Sequence, residues 1–199
     1  MHATQQHMQA KYMAISTPGS SLLDDTRAIP FPSVQPEPAP SDVTDGTEAS
    51  RHLVFEADHW LVSHRRDSRY PGYLMVSSRE QQAELHTLSY AALLELGFVL
   101  QGTEQLLRAA YNPLKVLFYK LGFTAEFSCH FHVVPVTAAL LDEVARHPQY
   151  DNHPDGNDVI LFLSRVYGER ELTEAELAAQ AATVKHLRTL QPAPRMRSF

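Results

Sequence analysis

Between Ser78 and Ala110 the chain carries one long helical pattern, and the segments on either side of it are short and β-like. Leu85, Leu88, Leu93, Leu96, Val99, Leu100, Leu106 and Leu107 recur at spacings of three and four, the period of a single apolar helix face. Asn112-Pro113 ends the pattern, because the residue before a proline is pushed out of the helical region. Upstream, "HLVFEAD" and "HWLVSH" are rich in β-branched and aromatic residues around a turn at Ala57-Asp58. "RRDSRYPG" reads as a loop and "YLMVSS" as the next strand. Downstream, "LKVLFYKL" is a strand, Gly122 marks a turn, and "SCHFHVVPV" is a further strand. Strands, a long helix, two strands and then helices predict an α+β domain, an antiparallel sheet with helices packed on or beside it.

The rest of the chain is less regular. Residues 137–147 predict a short helix, "YDNHPDGND" a loop, and "VILFLSRVY" is apolar without a clear period. Thr173, with Glu176 three residues on, predicts a capping box opening a last helix that runs to about 190. Residues 1–50 hold six of the thirteen prolines and six acidic against two basic residues, a composition that suits a loosely packed arm rather than a domain. A short helix over 4–14 is the one element expected there. The domain proper is expected over 51–190, with a basic tail at 191–199.

Charge and cysteine usage narrow the function classes. A net charge of −6 argues against binding a nucleic acid duplex, which calls for a basic field. One cysteine, Cys129, allows no intramolecular disulfide framework and suits a reducing, cytoplasmic setting; it reads best as a small buried hydrophobe. No apolar run approaches the ~18 residues of a membrane span, and "MHATQQHMQAKYM" lacks the apolar stretch of a secretory signal.

Within "SCHFHVVP", strand alternation places Ser128, His130, His132 and Val134 on one face and Cys129, Phe131 and Val133 on the other. The second set is wholly apolar and is the expected core face. Two imidazoles one strand repeat apart, about 6–7 Å between Cα atoms, admit three readings. They are the polar face of a strand; or two metal ligands awaiting a third, for which no Asp or Glu stands at a suggestive spacing; or a pair that holds one phosphate, one ring attacking phosphorus and the other donating to its oxygens.

His130-Phe131-His132-Val133-Val134-Pro135 resembles the second and third histidines and the apolar tail of the histidine triad (HIT) superfamily of nucleotidyl hydrolases and transferases. "FEADHWLVSHRRDSRYPGYLMVSSRE" is similar to that family's strand, strand, loop and P-G-H-x-L-V passage, so the resemblance spans roughly residues 52–136. Three departures stand out. Ser128 occupies the place of the first histidine, Tyr73 that of the P-G-H histidine, and Lys120-Leu121-Gly122 that of an Asn-x-Gly turn. With two histidines the chain looks closer to a divergent branch bearing H-F-H-x-x-P.

The resemblance implies a HIT-like sheet with the long helix between its halves, and a covalent mechanism. His130 attacks the α-phosphorus of a nucleotide phosphoanhydride or phosphoramidate, His132 stabilises the phosphoryl oxygens, and a nucleotidyl-histidine intermediate forms. That scheme needs no metal or other cofactor, takes a small nucleotide-type substrate, and suits a homodimer paired through the helix and sheet edge. Substrate contacts are expected from Ser128, Lys120 at the turn before Gly122, Tyr73, and the loop residues Arg65, Arg69 and Asp67, the last in the ribose-hydroxyl role. Thr124 and Glu126 lie in the turn beside the motif. A HIT-fold protein that binds nucleotide without turnover, and a metal enzyme using the H-x-H pair as ligands, are the rival expectations.

Overall fold

The computed structural model describes residues 48–122, 127–150, 153–168 and 170–191. The helix expected over 4–14, the arm up to residue 47, Thr124, Glu126 and the tail from 192 lie outside the described residues. Five strands form one antiparallel sheet: β1 (Leu53–Glu56), β2 (Trp60–His64), β3 (Leu74–Ser78), β4 (Lys115–Tyr119) and β5 (His130–Val136), in the order β1-β2-β3-β5-β4. Five helices accompany them among the described residues: α1 (Glu48–His52), α2 (Tyr90–Tyr111), α3 (Ala138–Arg146), α4 (Gly156–Arg165) and α5 (Glu174–Thr189). The expected α+β class, with a long helix between two groups of strands, is what the chain adopts. None of the described helices is long and apolar enough to cross a membrane.

Strand β5 lies inside the sheet, hydrogen-bonded to β3 on one side and to the edge strand β4 on the other. Its register places Met75 and Tyr119 on either flank of His132. On one sheet face Trp60, Val62, Leu74, Val76, Val116 and Val133 pack beneath α2 and α5, which contribute Val99, Leu106, Leu107, Val184 and Leu187. On the other face Tyr73, Val134 and Val136 pack beneath α3 and α4, through Leu140, Val144, Val159, Phe162 and Leu163. The face of Cys129, Phe131 and Val133 is core as expected, but the opposite face is covered as well. Val134 shares the histidines' face and is fully buried, because α3 and α4 cover that face as well. A buried strand flanked on both sides carries apolar residues in both parities, and alternation alone cannot then say which face is the core.

The long helix also starts later than its leucine pattern suggests. Residues 79–88 continue from the sheet: the Cys129 N–H donates to the Gln82 carbonyl, and a 3-10 turn follows at Leu85–Thr87. Ser89 then caps α2, accepting from the Ala92 N–H, while the Glu80 carboxylate accepts from both the Ser89 N–H and hydroxyl. Leu85 and Leu88 belong to the core from outside the helix, so the periodicity ran across two elements. Leu93 faces outward, not into the core. Asn112 ends α2 in the left-handed conformation, φ 43°, with Pro113 following as expected.

The apolar segment "VILFLSRVY" resolves into α4, whose N-terminus is secured by a capping box between Asp155 and Asp158. The Thr173–Glu176 box opens α5 as read from the sequence. Gly72 closes the loop before β3 at φ +77°, and a Cβ there would press into the Tyr111 ring and the Pro135 side chain. Left-handed strain and overpacking together predict that Gly72→Ala costs about 3 kcal/mol, read as a shift of the urea midpoint with unchanged slope.

Candidate functional site

The two histidines sit where the helical cover of their face ends. His130 and His132 are both half-buried, and their rings lie 5.3 Å apart at 66°. The His130 Nδ1 lies 2.8 Å from the Ser128 carbonyl oxygen. A carbonyl can only accept, so Nδ1 carries a proton, and in the neutral ring Nε2 is the nitrogen that keeps its lone pair. Ser128 thus supports the ring through its backbone. Gly122 packs against the same ring, close enough that a Cβ would come within 2.9 Å of Cε1; this contact accounts for a glycine at the turn. Phe127, 61% exposed, stands edge-on to His130 at 6.4 Å. Ala83, Lys120, Gly122, Phe127, Ser128 and His130 line a shallow open depression there.

His132 is held from behind by a polar chain. Its ring stacks on Tyr119, 5.1 Å between centroids and 5° from parallel, and its Nδ1 lies 3.1 Å from the Tyr73 hydroxyl. That hydroxyl is 2.6 Å from the Tyr119 hydroxyl and accepts from the Arg65 Nη1 at 2.8 Å. The remaining edge of the Arg65 guanidinium forms a two-pronged pair with Asp67, Nε at 2.5 Å and Nη2 at 2.8 Å, the fork-to-fork geometry that fixes direction as well as charge.

The electrostatics follow from this packing. Burial first, then the Arg65 guanidinium and the neighbouring His130 ring, push His132 down to about 4, with Asp67 opposing; near neutral pH its ring is uncharged. Hydrogen bonding from Arg65 holds the Asp67 carboxyl below its ordinary range. Burial, reinforced by Tyr73, raises the Tyr119 hydroxyl, so Tyr119 serves as a neutral hydrogen-bonding group.

The residues singled out from the sequence divide into two groups. His130, His132, Ser128, Tyr73, Arg65 and Asp67 form one connected set. Tyr73 is fully buried and is at once a core side chain and the hub of the polar chain. Lys120 lines the depression beside His130, its Nζ paired with Glu84 at 3.0 Å. Arg69 instead lies over the Tyr167 ring at 4.3 Å. Cys129 is buried on the opposite face, and burial raises its thiol pKa. Tyr119 was not foreseen. Its parity within "KVLFYK" was legible, but only the β4–β5 register brings it against His132. Among the described residues no group of three His, Cys, Asp or Glu side chains is placed to hold a metal ion.

No family model and no curated protein matches the sequence. Solved structures of histidine triad proteins align with it at low identity. A hypothetical histidine triad nucleotide-binding protein from Sulfolobus tokodaii aligns at 12% identity and TM-score 0.48, over 74% of this chain and 91% of that one. A histidine triad protein from Marinobacter aquaeolei aligns at 17% and 0.46, over 72% and 93%. The NitFhit protein of C. elegans aligns at 16% and 0.45 over 70% of this chain, which spans 27% of NitFhit's own length.

Proposed function

We propose that the chain is a nucleotidyl hydrolase or transferase acting on a nucleotide phosphoanhydride or phosphoramidate. The observation that carries the reading is the setting of His130: its Nδ1–H is engaged by the Ser128 carbonyl, which makes Nε2 the lone-pair nitrogen of the neutral ring, and a second, uncharged imidazole stands beside it. The Nε2 lone pair forms a bond to the α-phosphorus, and the bond from phosphorus to the leaving group breaks with its electron pair. Water or another acceptor then displaces His130 and releases the nucleotide. Splitting one displacement into two lowers each barrier. His132 and the Arg65–Tyr73 pair behind it stabilise the phosphoryl oxygens as charge develops on them, and this scheme requires no metal. A panel of nucleoside phosphoramidates, dinucleoside polyphosphates and nucleotide sugars tests the reading: at least one class should be turned over by the wild type. Saturable nucleotide binding without turnover of any class would replace it with the non-catalytic one.

Pairing of two copies belongs to the same proposal. On α2, Leu94 and Phe98, 58% and 67% exposed, are one turn apart on an outward face, with Gly97 beside them leaving open space. A homodimer through this face predicts that wild type sediments as a dimer and Phe98→Glu as a folded monomer. A monomeric wild type at micromolar concentration would remove this part of the proposal.

A further inference from the structure

Arg65 reaches His132 through the Tyr73 hydroxyl, so whatever fixes Arg65 and its partner Asp67 sets the charge behind the histidines. The turn that carries them is held from the far end of the chain. Gln180 of α5 is 5% exposed, and its Nε2 donates to the carbonyls of Arg65 at 3.0 Å, Arg66 at 3.1 Å and Ser68 at 2.9 Å. Three acceptors facing one amide leave only one orientation for it, NH2 toward the turn. The Arg65 carbonyl also accepts from the His64 Nδ1 at 2.9 Å. Asp67 lies between two of the clamped carbonyls, so the clamp places its carboxylate, and the carboxylate places the guanidinium fork. From the other side the connection between α4 and α5 passes close by. A Cβ at Gly168 would lie 2.7 Å from the Ser164 carbonyl oxygen and 3.8 Å from the Arg65 Nη2. Gln180 and Gly168 both fall beyond residues 52–136, in the part of the chain that carries no resemblance.

We propose that Gln180 is a positioning residue, through which the C-terminal helix α5 clamps the Arg65–Ser68 turn and so holds the Arg65–Asp67 pair against Tyr73 and His132. Its functional sense rests on the reading of the site given above. Its test does not, because it reads the titration of an imidazole rather than turnover.

The experiment is an NMR titration of the His132 ring in the full-length chain, wild type against Gln180→Met, which keeps the side-chain volume and removes the donors. Releasing the turn moves the guanidinium away and admits water, and both raise the His132 midpoint, by about one pH unit for a like charge withdrawn from contact range. A loss of stability alone lowers the folded fraction without moving the midpoint of the molecules that remain folded. If Gln180→Met does not fold, Gln180→Asn keeps the amide but shortens its reach, and is expected to shift His132 in the same direction. An unchanged His132 midpoint in whichever variant folds overturns the proposal. Absence of turnover in the wild type overturns the catalytic reading and leaves this result standing.

Discussion

His130→Ala is expected to lower kcat/KM by at least about a thousandfold, the scale seen when a covalent nucleophile is removed, while leaving the protein folded. The two halves of that expectation have separate physical origins. In the proposed mechanism the imidazole supplies the atom that bonds to phosphorus, and no neighbour among the described residues replaces it. His132 is uncharged, but its Nδ1 is engaged with Tyr73; Cys129 is buried on the opposite face. The cost to folding is small because His130 is half-buried and one hydrogen bond of its ring, to the Ser128 carbonyl, is lost. That is about 1 kcal/mol, visible as a modest shift of the urea midpoint. A variant that turned over substrate at the wild-type rate would place the chemistry elsewhere.

The other large effect is on folding, and it lies on the acid side. His64 is 1% exposed, its Nδ1–H donates to the Arg65 carbonyl, and its Nε2 is buried with no hydrogen-bond partner among the described residues. Burial pushes its pKa down to about 4 from an ordinary 6.5. Above the ordinary value both folded and unfolded chains carry a neutral ring, and the contribution to stability is complete. Between 6.5 and about 4 the unfolded chain takes up a proton that the folded one refuses, so stability falls as pH falls. Below that window this group's contribution is lost. The full effect for His64 is about 3 kcal/mol. His132 acts with the same sign over the same window, to a smaller extent because water reaches part of its ring. Urea unfolding followed from about pH 7 to pH 4 measures the slope. His64→Asn keeps an amide donor at the Nδ1 position for the Arg65 carbonyl and removes the titration, so it should flatten the curve. An equally steep loss in that variant would mean that His64 is not the source.

Much of the fold was legible because local signals and tertiary packing agree. The β-branched runs became β1 to β5, Asn112-Pro113 stopped α2, and the Thr173–Glu176 box opened α5. What misled was periodicity read without its interruptions. Leu85 and Leu88 point into the same core as α2 but do so from a 3-10 turn, because Glu80 binds the capping Ser89 and the preceding backbone is spent on the sheet. Parity likewise identified the shared face of His130 and His132 but not its burial, which depends on α3 and α4 arriving from later in the chain.

The candidate site divides in the same way. His130, His132 and Ser128 lie within three consecutive positions of one parity, and the sequence shows them. Tyr119 enters through strand register, a property of pairing that no local pattern encodes. Gln180 enters through a contact spanning more than a hundred residues, and a glutamine among the alanines of "AELAAQAATVK" carries no local mark of its use. The departures at Tyr73 and Ser128 gain a physical account as well. Tyr73 occupies a fully buried position where a phenol can pack and still hydrogen-bond His132. At Ser128 the backbone carbonyl, which any residue supplies, performs the contact to His130.

Rapid chemical quench of the wild type with a turned-over substrate radiolabelled at the α-phosphorus tests the central claim most directly. Label should appear on the protein within the first turnover, survive denaturation at alkaline pH, be lost in acid as a phosphoramidate is, and map to the peptide containing His130. Turnover with no protein-bound label at any time, or label mapping to another residue, would contradict it.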